Sequence, residues 1–137
     1  MKQKYRDALM SMAIVFGQTS EATRRKVGSL VVKGDCIISV GVNGQPPGHI
    51  TEFCEDIEGN TLPTVRHAEI ASFDKLRRDG KINDCKGAEM YVSLSPCLEC
   101  AKEIHKVGIT SVYYVEEYRK TEGLEYLKSK GVDVTKM

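Results

Sequence analysis

The sequence predicts an α/β fold, a three-layer α/β/α sandwich built on a mixed five-stranded sheet. Two β-branched runs, residues 27–33 and 36–42, are separated by Gly34 and Asp35, the composition of a tight hairpin turn. From residue 65 onward, helical and strand patterns alternate, as they do where helices join parallel strands. A hairpin followed by this alternation predicts one sheet of about five strands with helices on both faces.

The single elements follow from the spacing of apolar residues and from the residues that end each run. Before the hairpin, apolar side chains at helical spacing extend from Tyr5 to Phe16 and stop at Gly17. After it, the sequence predicts a helix over 65–80, a strand over 88–94, a helix capped by Ser95 with Pro96 in its first turn and Gly108 at its end, a strand over 110–116, a helix over 121–131 and a strand over 132–134. We expect residues 1–137 to form a single domain.

The segment 43–64 is rich in glycine and proline and shows neither helical nor strand periodicity. It is longer than the stretches that a compact domain normally leaves without regular structure. We therefore expect it to have a function or to fold on a partner, with a plain surface insertion as the alternative.

Composition limits the classes of partner. With 41% apolar and 28% charged residues in 137, the chain resembles an average globular domain. Its net charge of +1 argues against a large surface for nucleic acid or anionic lipid, but it permits a small anionic ligand. No stretch reaches the roughly 18 to 20 apolar residues of a membrane span. The five cysteines, an odd number, indicate reduced thiols and a cytoplasmic protein.

The stretch SPCLEC, residues 95–100, places two cysteines three positions apart, a spacing used in disulfide exchange, structural zinc and catalytic zinc. A redox pair of the thioredoxin type would follow an early strand, whereas Cys97 and Cys100 follow a late one. A structural zinc site would need a second ligand pair at regular spacing, and the chain has none. The two sulfurs therefore need a further ligand from elsewhere.

Of the three histidines, His67 is the one that the predicted fold can bring to these cysteines. His105 falls in the middle of a predicted helix and His49 in the long loop, whereas His67 lies at the start of a helix. Helix N-termini at the ends of parallel strands meet at one edge of a sheet and favour the thiolate forms of Cys97 and Cys100. Three protein ligands leave the fourth tetrahedral position to water, which is typical of catalytic zinc.

Glu69 supplies the remaining chemistry. It lies two residues after His67 and points in a different direction from the helix, so it need not act as a ligand. It can take a proton from a water whose pKa zinc lowers to about 7, and pass protons to a ring nitrogen and to a departing amine. An H-x-E motif followed by P-C-x-x-C is the established motif of zinc nucleobase deaminases, so it is recognised here and not deduced.

With these motifs the chain resembles the cytidine deaminase superfamily, and within it the deoxycytidylate (dCMP) deaminases. The similar segments are TRRKVGSLVVK, CIISVGVNGQPPG, RHAE, YVSLSPCLECAKEIHKVGITSVYY and GLEYLKSKGVDV. The resemblance implies a cytidine deaminase-like fold, Zn²⁺ bound by His67, Cys97 and Cys100, and proton transfer by Glu69. It also implies hydrolytic deamination of dCMP to dUMP with ammonia release, which supplies dUMP for thymidylate synthesis.

The resemblance also assigns substrate contacts. It implies that Asn43 holds the sugar, that the Ser95 region faces the base, and that Tyr118 is the tyrosine that follows the fourth strand. Arg24 and Arg25 are the leading candidates for the phosphate, although TRRK can equally be a solvated run of charge.

Regulation and assembly are further implications of the resemblance. The family implies a homo-oligomer, a hexamer, that dCTP activates and dTTP inhibits, each bound with Mg²⁺ near subunit interfaces. The long loop, with Gly44, His49 and Asp56, is where we expect this allosteric site. His49 and Cys54 are also candidates for a second metal site.

Two classes of alternative remain at this point, and the first is a deaminase with another substrate. The family pattern H-A-E-x-N-A has Ala71 in place of its asparagine, as some deaminases of tRNA adenosine do, but such enzymes ordinarily carry a glutamate before P-C, where this chain has Ser95. Other cytosine nucleosides or nucleotides would present the same amine to zinc. The second alternative is a zinc module without catalysis, which would leave Glu69 without a purpose.

Overall fold

The computed structural model describes residues 1–137 and contains four helices and five strands. In chain order they are α1 (Gln3–Gly17), β1 (Gly28–Lys33), β2 (Cys36–Val42), α2 (Ala68–Arg78), β3 (Glu89–Leu94), α3 (Leu98–Val107), β4 (Ser111–Glu116), α4 (Glu122–Ser129) and β5 (Asp133–Lys136). A 3-10 helix at Ile82–Cys85, which the sequence did not predict, precedes β3. No helix is both long enough and apolar enough to cross a membrane.

The strands form one mixed sheet in the order β2-β1-β3-β4-β5, which confirms the predicted five-stranded sheet. Strand β1 is antiparallel to both of its neighbours, β2 and β3, whereas β3, β4 and β5 are parallel. Strands β2 to β5 therefore run in one direction, and their carboxyl ends lie at the same edge of the sheet. Helices α2, α3 and α4 start from this edge.

The sheet has a hydrophobic layer on each face, as the predicted three-layer sandwich requires. Val31 and Val112 belong to the larger cluster, which the apolar residues of α2, α3 and α4 complete. On the opposite face, Leu30 and Tyr91 pack with buried residues of α1. Because side chains alternate between the two faces of a strand, consecutive residues such as Leu30 and Val31 enter different layers.

Helix α2 begins later than the predicted residue 65. Arg66 pairs through its backbone with Gly44, with N···O distances of 2.8 and 3.0 Å in the two directions, so the chain is still extended there. His67 is consequently the N-cap residue and Ala68 the first helical residue. The predicted start is thus three residues too early, and His67 lies just before the first turn and not within it.

The prediction that Ser95 caps α3 is wrong. The Ser95 hydroxyl oxygen accepts a hydrogen bond from the backbone N–H of Tyr118 at 2.6 Å, so its partner lies across the sheet edge and not in the next helix. Cys97 is the N-cap instead, and its sulfur accepts from the backbone N–H of Cys100. Pro96, which was predicted in the first turn, therefore lies before the helix, because α3 begins at Leu98.

The long segment between β2 and α2 contains no helix or strand, and only the isolated bridges Gly44↔Arg66 and Glu55↔Thr61 order its backbone pairing. Within it, Cys54 is only 1% exposed, so burial of this side chain anchors the segment in addition to hydrogen bonds. The segment is therefore ordered although it lacks regular secondary structure.

The N-terminus of α2 is fixed to the sheet by a close backbone approach at Gly41. A Cβ at this position would overlap with the carbonyl oxygen of Ala68 and lie 2.7 Å from the backbone nitrogen of Ser72. Two strand hydroxyls strengthen this contact, because Ser29 donates to the Ala68 carbonyl at 2.9 Å and Ser39 to the Ser72 carbonyl at 2.8 Å. The position of α2 therefore depends on a glycine at residue 41.

We predict that Gly41→Ala lowers the free energy of unfolding by about 2 kcal/mol, because the added methyl group overpacks the contact between β2 and α2. Urea unfolding measures the change. Gly44→Ala is the matched control, since a Cβ there meets nothing within 4 Å. Equal unfolding midpoints for the two variants would contradict this account of how α2 is held.

Candidate functional site

The structure brings His67, Cys97 and Cys100 together at the carboxyl edge of the sheet. His67 and Cys97 are the N-cap residues of α2 and α3, and Cys100 lies in the first turn of α3. The Nδ1 atom of His67 is 3.2 Å from the Sγ of Cys100 and 3.5 Å from the Sγ of Cys97, and all three ligand atoms lie within 4.8 Å of one another. The first residues of α2 and α3 therefore place one imidazole nitrogen and two thiol sulfurs close together.

This donor set fits a zinc ion. With bonds of about 2.0–2.1 Å to nitrogen and about 2.3 Å to sulfur, tetrahedral zinc separates its ligand atoms by roughly 3.5–3.8 Å. The distances observed between the Nδ1 of His67 and the two sulfurs are close to that range. The group holds three protein ligands and not four, which is the ligand number of catalytic zinc sites.

The two thiols differ sharply in their affinity for a proton. The Cys100 thiol donates a hydrogen bond to the Cys97 sulfur, which lowers the pKa of Cys97 to about 4; burial opposes this effect and His67 adds to it. The same hydrogen bond and burial raise the pKa of Cys100 far above its ordinary value. The hydrogen bond with Cys97 also raises the pKa of His67, against desolvation. Cys97 is therefore the more acidic of the two thiols.

Glu69 lies in the first turn of α2 and is 4% exposed. Burial is the main reason that the pKa of its carboxyl rises to about 7, although its backbone hydrogen bond and the charge of His67 oppose the rise. A carboxyl with this pKa exchanges a proton readily at neutral pH, as a general acid or base must.

One cavity of about 640 Å³ joins this centre to the surface, a size typical of small-molecule sites. Cys100 lies beneath its floor, only 2% exposed. All the other residues that the sequence singled out for zinc, proton transfer and substrate line its wall, namely Arg24, Arg25, Asn43, His67, Glu69, Ser95, Cys97 and Tyr118.

The cavity wall carries three exposed guanidinium groups. Arg24, Arg25 and Arg119 line it, and of these only Arg25 forms an ion pair, with Glu116 at 2.7 Å. Arg119 escaped the sequence analysis, although its position directly after Tyr118 was a usable signal. Exposed guanidinium groups in one cavity are suited to bind a phosphate or another small anion.

Two predicted substrate residues are engaged in hydrogen bonds with the protein. The Asn43 amide accepts from the backbone N–H of Val27 at 2.9 Å and donates to the carbonyl of Arg25 at 2.7 Å. The Ser95 hydroxyl holds Tyr118, as described above. Both side chains therefore shape the cavity wall through its backbone.

The predicted allosteric residues are only partly brought together. Gly44 and His49 line a second cavity of about 250 Å³, which shares Asn43 with the first. Asp56 lies outside both cavities, where its carboxylate accepts from the backbone N–H groups of Glu58 and Asn60. Asp56 thus closes a local turn, and the allosteric role of the three residues stays a prediction.

The candidate second metal site does not form. Among clusters of three or more metal-ligating side chains, the structure contains the His67 group alone. His49 interacts with Thr51 of its own loop, and the Cys54 thiol donates to the carbonyl of Glu52. Sequence proximity of a histidine and a cysteine was not enough to place a third ligand.

Comparisons with known proteins agree with this geometry. A family model for the cytidine and deoxycytidylate deaminase zinc-binding region matches residues 3–116. The crystal structure of the dCMP deaminase from cyanophage S-TIM5, in complex with dCMP and dUMP, superposes with a TM-score of 0.95 at 40% identity, over 100% of this chain and 99% of that chain.

Two curated relatives are longer than this chain. ComE operon protein 2 of Bacillus subtilis is 33% identical over 113 residues, which cover 80% of this chain and 58% of the relative. The deoxycytidylate deaminase of Saccharomyces cerevisiae is 29% identical over 144 residues, covering 98% of this chain and 45% of the relative. This chain thus spans about half the length of these relatives.

We predict that Cys100→Ser abolishes stoichiometric zinc binding, because a hydroxyl is a poor substitute for a thiolate ligand. Metal analysis of the purified protein by mass spectrometry measures zinc per chain. Cys36→Ser is the matched control, since Cys36 is exposed in the hairpin and far from the cluster in the chain. Retention of full zinc content by Cys100→Ser would refute the assignment of this ligand.

Proposed function

The chain belongs to the cytidine and deoxycytidylate deaminase family, and on that premise we propose that it is a zinc-dependent hydrolase that deaminates dCMP to dUMP and releases ammonia. The observation that carries the proposal is that one cavity carries both kinds of group. Its lining includes two residues of the metal-ligating group and the buried Glu69, together with three exposed arginines. A cytosine nucleotide with its amine toward the metal would place its phosphate near the arginines.

The metal and the protein divide the chemistry. Zinc held by His67, Cys97 and Cys100 would polarise a water molecule and make it nucleophilic at neutral pH. The chain's own contribution is to hold the pyrimidine edge against this centre and to move protons. Burial of Glu69 keeps bulk water away from the carboxyl that does so.

In the proposed reaction, Glu69 accepts one proton from the attacking water and gives it to the ring nitrogen N3 as the oxygen bonds to C4. The second proton of the water passes through the same carboxyl to the exocyclic amine. The bond from C4 to the amine nitrogen then breaks, ammonia leaves and a carbonyl remains at C4. One carboxyl thus serves first as a general base and then as a general acid.

The phosphate-binding role belongs in our proposal to Arg24 and Arg25, and Arg119 lines the same cavity. Tyr118 and Asn43 would enclose the sugar between the arginines and Glu69. A monophosphate recognised at this distance from the reacting amine would strengthen binding of the whole nucleotide and so lower KM. The similarity to a dCMP deaminase that binds dCMP and dUMP supports this choice of substrate.

We further propose that residues 1–137 act as a single deaminase domain within a homo-oligomer, a hexamer, that dCTP with Mg²⁺ activates and dTTP inhibits. The cavity lined by Gly44 and His49 supports this regulation, because it shares Asn43 with the main cavity. At about 250 Å³ it is smaller than typical ligand pockets of about 300–1,000 Å³, so a triphosphate there would extend toward another subunit. All five cysteines are free thiols, which supports a cytoplasmic role in supplying dUMP for thymidylate synthesis.

We predict that Glu69→Gln lowers turnover of dCMP at least about 100-fold, because the amide cannot transfer protons. Ammonia release measures turnover, and metal analysis should show zinc unchanged. Glu99→Gln is the matched control, since Glu99 lies in the first turn of α3 with its side chain 83% exposed. Undiminished turnover in Glu69→Gln would eliminate the proposed mechanism.

The substrate is tested by measuring ammonia release from dCMP, CMP, deoxycytidine, dCTP and a tRNA. We expect dCMP to give the highest kcat/KM, with an increase on addition of dCTP and Mg²⁺ and a decrease with dTTP. Preferential turnover of the tRNA, or none of dCMP even with dCTP and Mg²⁺, would overturn the assignment. Turnover of dCMP that ignores both triphosphates would remove the regulation and leave the activity.

A further inference from the structure

The segment that carries the two arginines, residues 20–27, has no regular secondary structure of its own. It joins α1 to β1 without a helix or a strand, so its own backbone hydrogen bonds do not fix the direction of its side chains. Side chains from the segment between β2 and α2 fix its backbone instead. One of them holds the backbone of Arg24 and another holds the backbone of Arg25.

Arg25 is held by partners already described. Asn43 fixes its carbonyl oxygen, and Glu116 pairs with its guanidinium group. Arg24 has no carboxylate within ion-pair distance, so the direction of its side chain depends on how its backbone is fixed.

The backbone of Arg24 is fixed by Glu55. One carboxylate oxygen of Glu55 accepts from the Arg24 N–H at 3.3 Å, and both oxygens accept from the Thr23 N–H at 3.1 Å. The Thr23 hydroxyl adds a third donor at 2.9 Å. A single carboxylate thus accepts hydrogen bonds from two successive residues of segment 20–27.

Glu55 is itself anchored. It follows Cys54, which is 1% exposed, and it pairs with Thr61 in an isolated bridge. The carbonyl of Cys54 accepts from the Leu62 N–H at 2.8 Å. The carboxylate therefore projects from a fixed part of the long segment and not from a free loop.

We propose that Glu55 is a positioning residue that aims the Arg24 guanidinium group at the nucleotide phosphate, and so sets the preference for phosphorylated ligands. This inference rests on the proposed function, because it assigns the phosphate to the arginine wall. It explains why an acidic side chain lines the same cavity as the three arginines proposed to bind an anion. The donors of Thr23 and Arg24 occupy its oxygens, so its charge serves the arginine segment.

The two roles of a carboxylate at this place have opposite consequences. If Glu55 acted only through its charge, its removal would strengthen binding of a phosphate by removing repulsion. If it positions Arg24, its removal weakens that binding. The sign of the change on Glu55→Gln therefore separates the two, because glutamine removes the charge and replaces one acceptor oxygen by a donor.

The experiment measures binding of the product dUMP and of deoxyuridine by calorimetry, which needs no turnover. We expect Glu55→Gln and Glu55→Ala to weaken dUMP binding about tenfold, as loss of hydrogen bonds to a charged group would. Binding of deoxyuridine should not change. Glu58→Gln, which makes the same charge change at an exposed position of the same loop, should match the unaltered protein.

Arg24→Ala completes the test. If Glu55 acts through Arg24, adding Glu55→Gln to Arg24→Ala weakens dUMP binding no further. Tighter dUMP binding in Glu55→Gln, equal losses for dUMP and deoxyuridine, or additive losses in the double variant would each overturn the inference.

Kinetics separate this inference from the proposed function. With dCMP as substrate, the Glu55 variants should raise KM and keep kcat, with zinc content unchanged. If the unaltered chain releases no ammonia from dCMP under any condition tested, the proposed function fails. If the unaltered chain does release ammonia from dCMP, but the Glu55 variants match it in dUMP binding and in turnover, only the proposed role of Glu55 fails.

Discussion

The convergence of the starts of α2 and α3 at one edge of the sheet is the constraint on which the site depends. Because β2 and β3 run in the same direction, the helices that follow them begin at the same edge. The contact at Gly41 then brings α2 close enough for His67 to meet the two sulfurs of α3. Both helix dipoles direct their positive ends at this point, which favours the thiolate charge that a metal requires.

The cavity separates two kinds of electrostatics. Glu69 and Cys100 are buried, so the proton affinities of these two groups are strongly shifted. The arginines of the same cavity are exposed, so they avoid a large desolvation cost. The long segment between β2 and α2 orders the arginines, because Asn43 and Glu55 hold the backbone that carries Arg24 and Arg25.

The sequence predicted what depends on local patterns. Apolar spacing indicated every strand and α-helix, and the H-x-E and P-C-x-x-C motifs indicated which residues the sheet edge brings together. The failures concern pairs that are distant in the chain. Ser95 was expected to cap a helix, but its hydroxyl meets Tyr118, 23 residues away. Glu55 and Thr23 are 32 residues apart in the chain, and neither helical nor strand periodicity predicts their contact.

The helix starts show the same limit. His67 and Cys97 became N-cap residues because the bridge between Gly44 and Arg66 and the contact of Ser95 with Tyr118 keep the preceding chain extended. Propensity favours serine as a cap, but a tertiary hydrogen bond competes for its hydroxyl. The same shift places the Cys97 sulfur at the start of α3, where it caps the helix and belongs to the group that could hold a metal ion.

The central claim is that the chain holds zinc with three protein ligands and leaves one position open. X-ray absorption at the zinc edge of the purified protein tests it most directly. We expect two sulfur neighbours at about 2.3 Å and one nitrogen at about 2.0–2.1 Å, with one further oxygen neighbour from solvent. A shell of four protein ligands, or of three or more sulfurs, would show a closed structural site and would contradict this account.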